Sequence, residues 1–165
     1  MATYRITRNI EASIIDYISA QLTSAHWTGI SVVKGFEEVY EQKLSLPAIA
    51  VRSESSVEEY KEIGDNAEVR NYQVLLNIFA TDDGMRLDLK DFLISILQPG
   101  CPYYNYVTTK AGRVTSVTSK TQNGRIRVLK IGDTSIKFDV DKDKLVVYDR
   151  YRHLLTLTVS RGRYE

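Results

Sequence analysis

Apolar residues recur at every fourth position from Ile10 through Ile14, Ile18 and Leu22, with Asn9 in front of them. That spacing predicts an amphipathic helix over 10–23, capped by Asn9, with Glu11 and Asp16 near its positive end. Gly29 and Gly35 bracket Ile30-Ser31-Val32-Val33, and Pro47 precedes Ala48-Ile49-Ala50-Val51. Both short runs read as strands. Ser53 to Ala67 is acidic and polar, with turn chemistry at Gly64-Asp65-Asn66, and is expected to be a long hairpin tip or an exposed loop. From Val69 to Ala80 the even positions Tyr72, Val74, Leu76, Ile78 and Ala80 are apolar, which is the two-residue period of a strand. Thr81-Asp82-Asp83-Gly84 offers the cap of a second helix, 84–98. In it Met85, Leu89, Phe92, Leu93, Ile96 and Leu97 follow at helical spacing until Pro99-Gly100 stops it.

After Pro102 the pattern is almost purely β. Val114 to Val117 reads as a strand, and Gln122-Asn123-Gly124 as a turn. Ile126 to Ile131 and Ser135 to Val140 flank Gly132-Asp133 and read as a hairpin; Lys142-Asp143 turns the chain before Leu145 to Tyr148. His153 to Val159 alternates, with Leu155, Leu157 and Val159 on one face. The expected fold is α+β: a mainly antiparallel sheet with two helices on one face and an extended β-hairpin region in the C-terminal half. The 165 residues are enough for one domain, with 112–148 as a place for an inserted hairpin layer.

Composition adds mainly exclusions. The single Cys101 rules out a disulfide within the chain. No apolar run exceeds four residues, too short for a membrane-spanning helix. The opening MATYRITRNIEAS has no apolar core of a secretory leader, so a cytosolic setting is expected. The net charge of +1 conceals a division. Residues 1–100 hold nine Lys+Arg against fifteen Asp+Glu, whereas residues 101–165 hold thirteen against six. Opposed charge of this kind can guide head-to-tail contact of identical subunits, bring one end to a polyanion, or simply solvate two faces.

No catalytic constellation stands out. His26 and His153 lie in no recognisable motif, and packing or capping is the simpler account of each. Cys101 sits in Pro99-Gly100-Cys101-Pro102, which reads as a turn without a cation to activate a thiol. Asp139, Asp141 and Asp143 imitate the start of a calcium loop but lack its sixth-position glycine and have Arg150 in place of the closing carboxylate. Glu59-Tyr60-Lys61 has the Glu-x-Lys spacing of metal-dependent nucleases, a triplet that chance supplies in a chain this charged. No phosphate-cradling glycine loop is present. The reading is a protein without catalytic, metal or cofactor residues. Its eleven tyrosines include Tyr103, Tyr104 and Tyr106 after Pro102, and Tyr148 and Tyr151 beside Arg150 and Arg152. Such groups suit a protein interface first, a sheet rim second and single-stranded nucleic acid third.

The order of elements supplies a resemblance. A first helix and strand are followed by Leu46-Pro47-Ala48-Ile49-Ala50-Val51, an acidic hairpin region, and Arg70-Asn-Tyr-Gln-Val-Leu-Leu-Asn-Ile-Phe-Ala80 leading into the helix from Gly84 to Leu97. Tyr151-Arg-His-Leu-Leu-Thr-Leu-Thr-Val159 closes the series. Over roughly residues 9–160 this resembles the tail terminator (tail completion) proteins of tailed bacteriophages and related contractile injection particles. The resemblance implies a virion protein, made in the host cytoplasm, that forms a homo-oligomeric, hexameric ring on the last ring of tail tube protein. Such a ring stops tube growth and meets the head connector or neck protein, and genomic DNA passes through it without sequence-specific binding. The residues themselves already point to no membrane and no enzyme. The extended β region from Gly112 to Tyr148 departs from the simplest members and leaves a neck or head–tail adaptor open as the alternative. A nucleic-acid-binding protein using the basic C-terminal part is the third reading. For a ring, the expected subunit contact sets the acidic arm with Glu58, Glu59, Tyr60 and Lys61 against Arg125, Arg127, Arg150 and Arg152.

Overall fold

The apolar stripe that begins at Ile10 forms a helix, α1 (Ile6–Ser24), in a computed structural model that describes residues 6–60, 68–111, 114–136, 141 and 145–162. Asn9 lies inside α1 and not at its cap, because helical backbone already runs from Ile6. The second stripe forms α3 (Asp83–Leu97). Its N-cap is Asp82, whose carboxylate accepts from the Met85 amide at 2.8 Å. Gly100 (φ 83°) donates its amide to the Leu97 carbonyl and turns the chain out of the helix. A third helix, α2 (Glu37–Glu41), was not expected. Five residues are too short for a periodic signal, and only Val39 is buried.

Among the described residues six strands make one sheet: β1 (Ser31–Lys34), β2 (Ala48–Tyr60), β3 (Glu68–Phe79), β4 (Cys101–Ala111), β5 (Val114–Ser135) and β6 (Arg152–Gly162), in the order β1-β2-β3-β6-β5-β4. The sheet is mixed. β1 runs parallel to β2, while the other four pairs are antiparallel. The polar stretch after Ser53 is strand as far as Tyr60, which pairs with Glu68; the tip, 61–67, lies outside the described residues. β6, last in chain order, occupies the middle of the sheet between β3 and β5.

The segment read as two hairpins is one strand of 22 residues. Asn123-Gly124 does not reverse the chain. The register slips between Pro102 and Tyr104 of β4, and Gly124 takes φ 106°, so the pair absorbs an extra residue as a bulge. Gly132 and Asp133 pair with Thr156 and Leu155 of β6 in ordinary ladder positions. Of the expected partner strand Ser135 to Val140, residues 137–140 lie outside the described ones. Leu145 to Tyr148 is not a strand either; Val147–Asp149 form a single 3-10 turn. Val114–Ser135, the bulk of the region expected to hold an added layer, lies between β4 and β6 in the same sheet.

One large core joins Ile10, Ile14, Ile18 and Leu22 of α1 and Leu89, Leu93 and Leu97 of α3 to alternate residues of the strands, among them Ile49, Val51, Leu76, Ile78, Leu155 and Leu157. Burial of a side chain of this size contributes about 1.5–3 kcal/mol, so α1 and α3 are held by packing and not by helix propensity. A smaller cluster places Val39 of α2 with Ala48, Ala50 and Phe79, the residues that alternate with the first set.

Candidate functional site

α1 lies between the two margins of the sheet. Lys34 of β1 pairs with its Glu11 at 3.2 Å, and Tyr104 and Tyr106 of β4 bond its Ser13 and Asp16. Successive helical residues are rotated by about 100°, so Glu11 and Ser13 point to nearly opposite sides. The Glu11 carboxylate accepts from the Ser53 amide at 2.8 Å, and Ser13 Oγ accepts from the Tyr104 amide at 3.0 Å. Asn9, also buried, donates to the Tyr103 hydroxyl at 3.2 Å. The Tyr106 hydroxyl donates to Asp16 at 2.6 Å, and burial with this acidic partner raises its pKa well above the phenolic range. A cleft of about 170 Å³ opens here, between Arg8, Glu11, Ala12 and Ile15 of α1, Lys34 of β1, and Tyr106, Thr108 and Val117 of the β4–β5 hairpin.

The residues read as a subunit interface fall at two ends of the sheet. Glu58, Glu59 and Tyr60 end β2, opposite Arg70, Val69 and Glu68 of β3; Lys61 lies outside the described residues. Val57 pairs with Asn71, Asn71 with Ser160, and Ser160 with Arg127, so Arg125 and Arg127 share that end. Two strands intervene, which separates β2 from β5 by about 14 Å. Arg125 and Arg127 are exposed and flank the buried Ile126. Arg150 and Arg152 stand at the other end, where Arg152 pairs with Phe79. Arg150 donates to the Leu145 carbonyl at 3.3 Å. Arg152 is turned inward, 13% exposed. It donates twice to Asn77 Oδ1 (3.0 and 3.2 Å), pairs with Asp149 at 3.4 Å and stacks over Phe36 and Phe79. The Tyr40 hydroxyl, with its pKa pushed up to about 12 by burial and by its bond to Asp149, belongs to the same cluster. The four arginines therefore form no single patch, and Arg152 is engaged within its own chain.

The tyrosines after Pro102 are likewise turned toward their own chain. Tyr103 is fully buried beneath the Arg161 guanidinium, and the half-buried Tyr104 carries the Lys120 ammonium 4.7 Å from its ring centre. Tyr148 packs edge-on against Tyr40.

His26 adopts a left-handed backbone (φ 61°) just past α1. Its amide bonds the Thr23 carbonyl and that of Trp27 bonds Leu22, the paired contacts that close a helix. His153 is 3% exposed and filled on both sides. Nδ1 lies 2.6 Å from Arg86 Nη1, and Nε2 lies 3.1 Å from Asp133 Oδ2. Arg86 can only donate, so Nδ1 accepts and the proton sits on Nε2, facing Asp133. Burial and the Arg86 charge outweigh Asp133 and hold the imidazole pKa below its usual value. Both nitrogens are committed, which suits a structural tie between α3, β5 and β6. Cys101 opens β4 and is not in a turn; burial pushes its thiol up to about 12, the opposite of activation. Among the described residues no group of His, Cys, Asp and Glu is arranged to hold a metal ion. Asp139 and Asp143 lie outside them.

Sequence reasoning took Asn9 for a cap and Glu11 for a partner of the helix dipole, and it passed over Ser13. The available signal was polar residues set among Ile10, Ile14 and Ile18 on a helix that is buried on more than one side. No protein-family model matches the chain, and no curated protein matches it.

Proposed function

We propose that the chain is a structural subunit of a tailed-phage virion that assembles into a ring, ending the tail tube and joining it to the head connector. The observation that carries this reading is the division of charge between the lateral halves of the sheet. The β2–β3 segment, 48–79, holds three basic and six acidic residues, and the β4–β5 segment, 101–135, holds six basic and one acidic. A ring generated by rotation repeats one heterologous contact, so each subunit needs two unlike and complementary sides. Glu58 and Glu59 stand on the acidic side, Arg125 and Arg127 on the basic side. Hexameric stoichiometry and the tail tube partner come from the resemblance in element order, the absence of catalysis from the lack of a convergent constellation in the sequence, and all belong to the same proposal.

Light scattering and negative-stain microscopy of the purified protein test it. Sixfold rings are expected, growing more abundant with concentration or when tail tubes are supplied. A persistent monomer, alone and with tubes, that binds short DNA with steep salt dependence would overturn the ring in favour of a nucleic-acid-binding protein.

A further inference from the structure

α1 closes the two margins of the sheet only in part. β1 pairs with β2 no further than Val51, so from Arg52 to Tyr60 the outer side of β2 has no neighbouring strand among the described residues. Among the described residues β4 is the last strand on the other side along its whole length. α1 reaches, among the described residues, the Ser53 amide of β2 through Glu11 and the Tyr104 amide of β4 through Ser13. Beyond those contacts both strands run on, carrying the exposed Val57 and Val107. A long open edge is a template for another strand, which proteins ordinarily blunt by cover or charge. Charge blunts these edges selectively. β2 carries Glu54, Glu58 and Glu59 against Arg52, and β4 carries Lys110 and no acid, so two β2 edges repel each other while a β2 edge and a β4 edge attract.

We propose that the outer edge of β2 past its Glu11 contact adds by backbone hydrogen bonding to the outer edge of β4 past Tyr104 in a second copy of the chain, so that neighbouring sheets become continuous. The inference rests on the ring reading and specifies its contact. Each step from β2 through β3, β6 and β5 to β4 is antiparallel, so β2 and β4 run in the same sense. Rotation about an axis along the strands then joins them in parallel, as a heterologous contact requires. The cleft beside Tyr106, lined by Ala12, Ile15 and Val117 together with Arg8 and the Lys34–Glu11 pair, receives apolar side chains of the incoming strand.

Hydrogen–deuterium exchange on the whole protein, as dilute monomer and as concentrated oligomer identified by native mass spectrometry, tests the pairing. Peptides spanning 52–60 and 104–111 are expected to exchange about tenfold more slowly in the oligomer, with β3 and β6 unchanged. Oligomers without that protection overturn the edge pairing and leave the ring standing. A chain that stays monomeric at every concentration and with tail tubes overturns both. Lys110→Pro gives a second arm. The Tyr104 amide points out toward Ser13, and alternation along β4 gives Lys110 the same outward amide, so proline there removes a docking donor and no β4–β5 ladder bond. The variant is expected to keep the monomer's melting temperature and to weaken oligomerisation about tenfold relative to Lys110→Gln, which loses the same charge but keeps the amide, the loss of roughly one good hydrogen bond. Undiminished assembly of a folded Lys110→Pro protein overturns the pairing.

Discussion

Glu11 and Ser13, two residues apart on α1, bind the opposite margins of one sheet, Glu11 through the Ser53 amide and Ser13 through the Tyr104 amide. The helix thus stands in for a missing strand on both sides at once. Among the described residues no strand lies beside either amide there, so removing the acceptor leaves a donor unsatisfied in a half-buried position. Glu11→Ala also strips Lys34 of its carboxylate. Each of Glu11→Ala and Ser13→Ala is expected to lower unfolding free energy by about 1–3 kcal/mol, Glu11→Ala by more, as measured by urea denaturation. A loss below a few tenths of a kcal/mol for both would mean that water replaces α1 at no cost.

His153 makes stability depend on pH. Its pKa is lower in the fold than in the unfolded chain, so the unfolded state takes up the proton first as pH falls. The stabilisation is fully present above the unfolded value of about 6.5 and is lost progressively as pH drops through the folded value. Protonation at Nδ1 would set a cation against Arg86, with Lys90 close by and Asp83 and Asp133 as the facing acids. Urea midpoints of the wild type are expected to fall between pH 7 and pH 5, and those of His153→Gln to fall less. Parallel pH profiles for the two proteins would count against this account.

Two glycines separate backbone strain from steric contact. At Gly100 (φ 83°) an added Cβ would lie 2.5 Å from the Ile126 carbonyl oxygen, a backbone atom that cannot give way without disturbing β5. At Gly29 (φ 75°) it would meet nothing within 4 Å. Gly29→Ala is therefore expected to cost about 1 kcal/mol from the left-handed backbone alone, and Gly100→Ala about 2–4 kcal/mol. Melting temperatures measured side by side check the order.

Charge reversal addresses the contact between subunits. Glu58→Lys with Glu59→Lys is expected to impair ring formation, and Arg125→Glu with Arg127→Glu in the same protein to restore part of it. Exposed pairs contribute only about 0–1 kcal/mol each, so the effect should show in assembly rate at low salt and fade as salt rises. Reversal variants that assemble normally on tubes at low salt would leave these charges as solvated faces only.

The elements with a long periodic stripe were legible in the residues. Ile10 to Leu22, Tyr72 to Ile78, Leu89 to Leu97 and Leu155 to Val159 each repeat one spacing often enough to fix type and inward face. Asn123-Gly124 was misread because a hairpin turn and a bulge ask the same left-handed conformation of the glycine. What separates them is the strand opposite, and Pro102 and Tyr104 carry that information twenty residues away. The contacts around α1 were hidden for a similar reason. Ser13 finds Tyr104 only once the sheet has curled, and no local pattern marks a serine as the cover for a distant amide. Arg152 looked like a surface cation because its neighbours Tyr151 and Arg150 suggested one; its burial depends on Asn77 and Phe36.

The central place of β6 sets the order in which the sheet can form. β2 with β3 and β4 with β5 are hairpins of short separation, and each can pair soon after its own residues are made. Until Arg152–Gly162 has been synthesised, the two hairpins face each other across an empty lane. Val159 then pairs with Tyr72 on one side and Val128 on the other, and a single late strand converts two local hairpins into one sheet. The slow step of folding is expected to be this insertion. Until that strand is in place the two hairpins keep bare inner edges, the state of this sheet most open to wrong pairing.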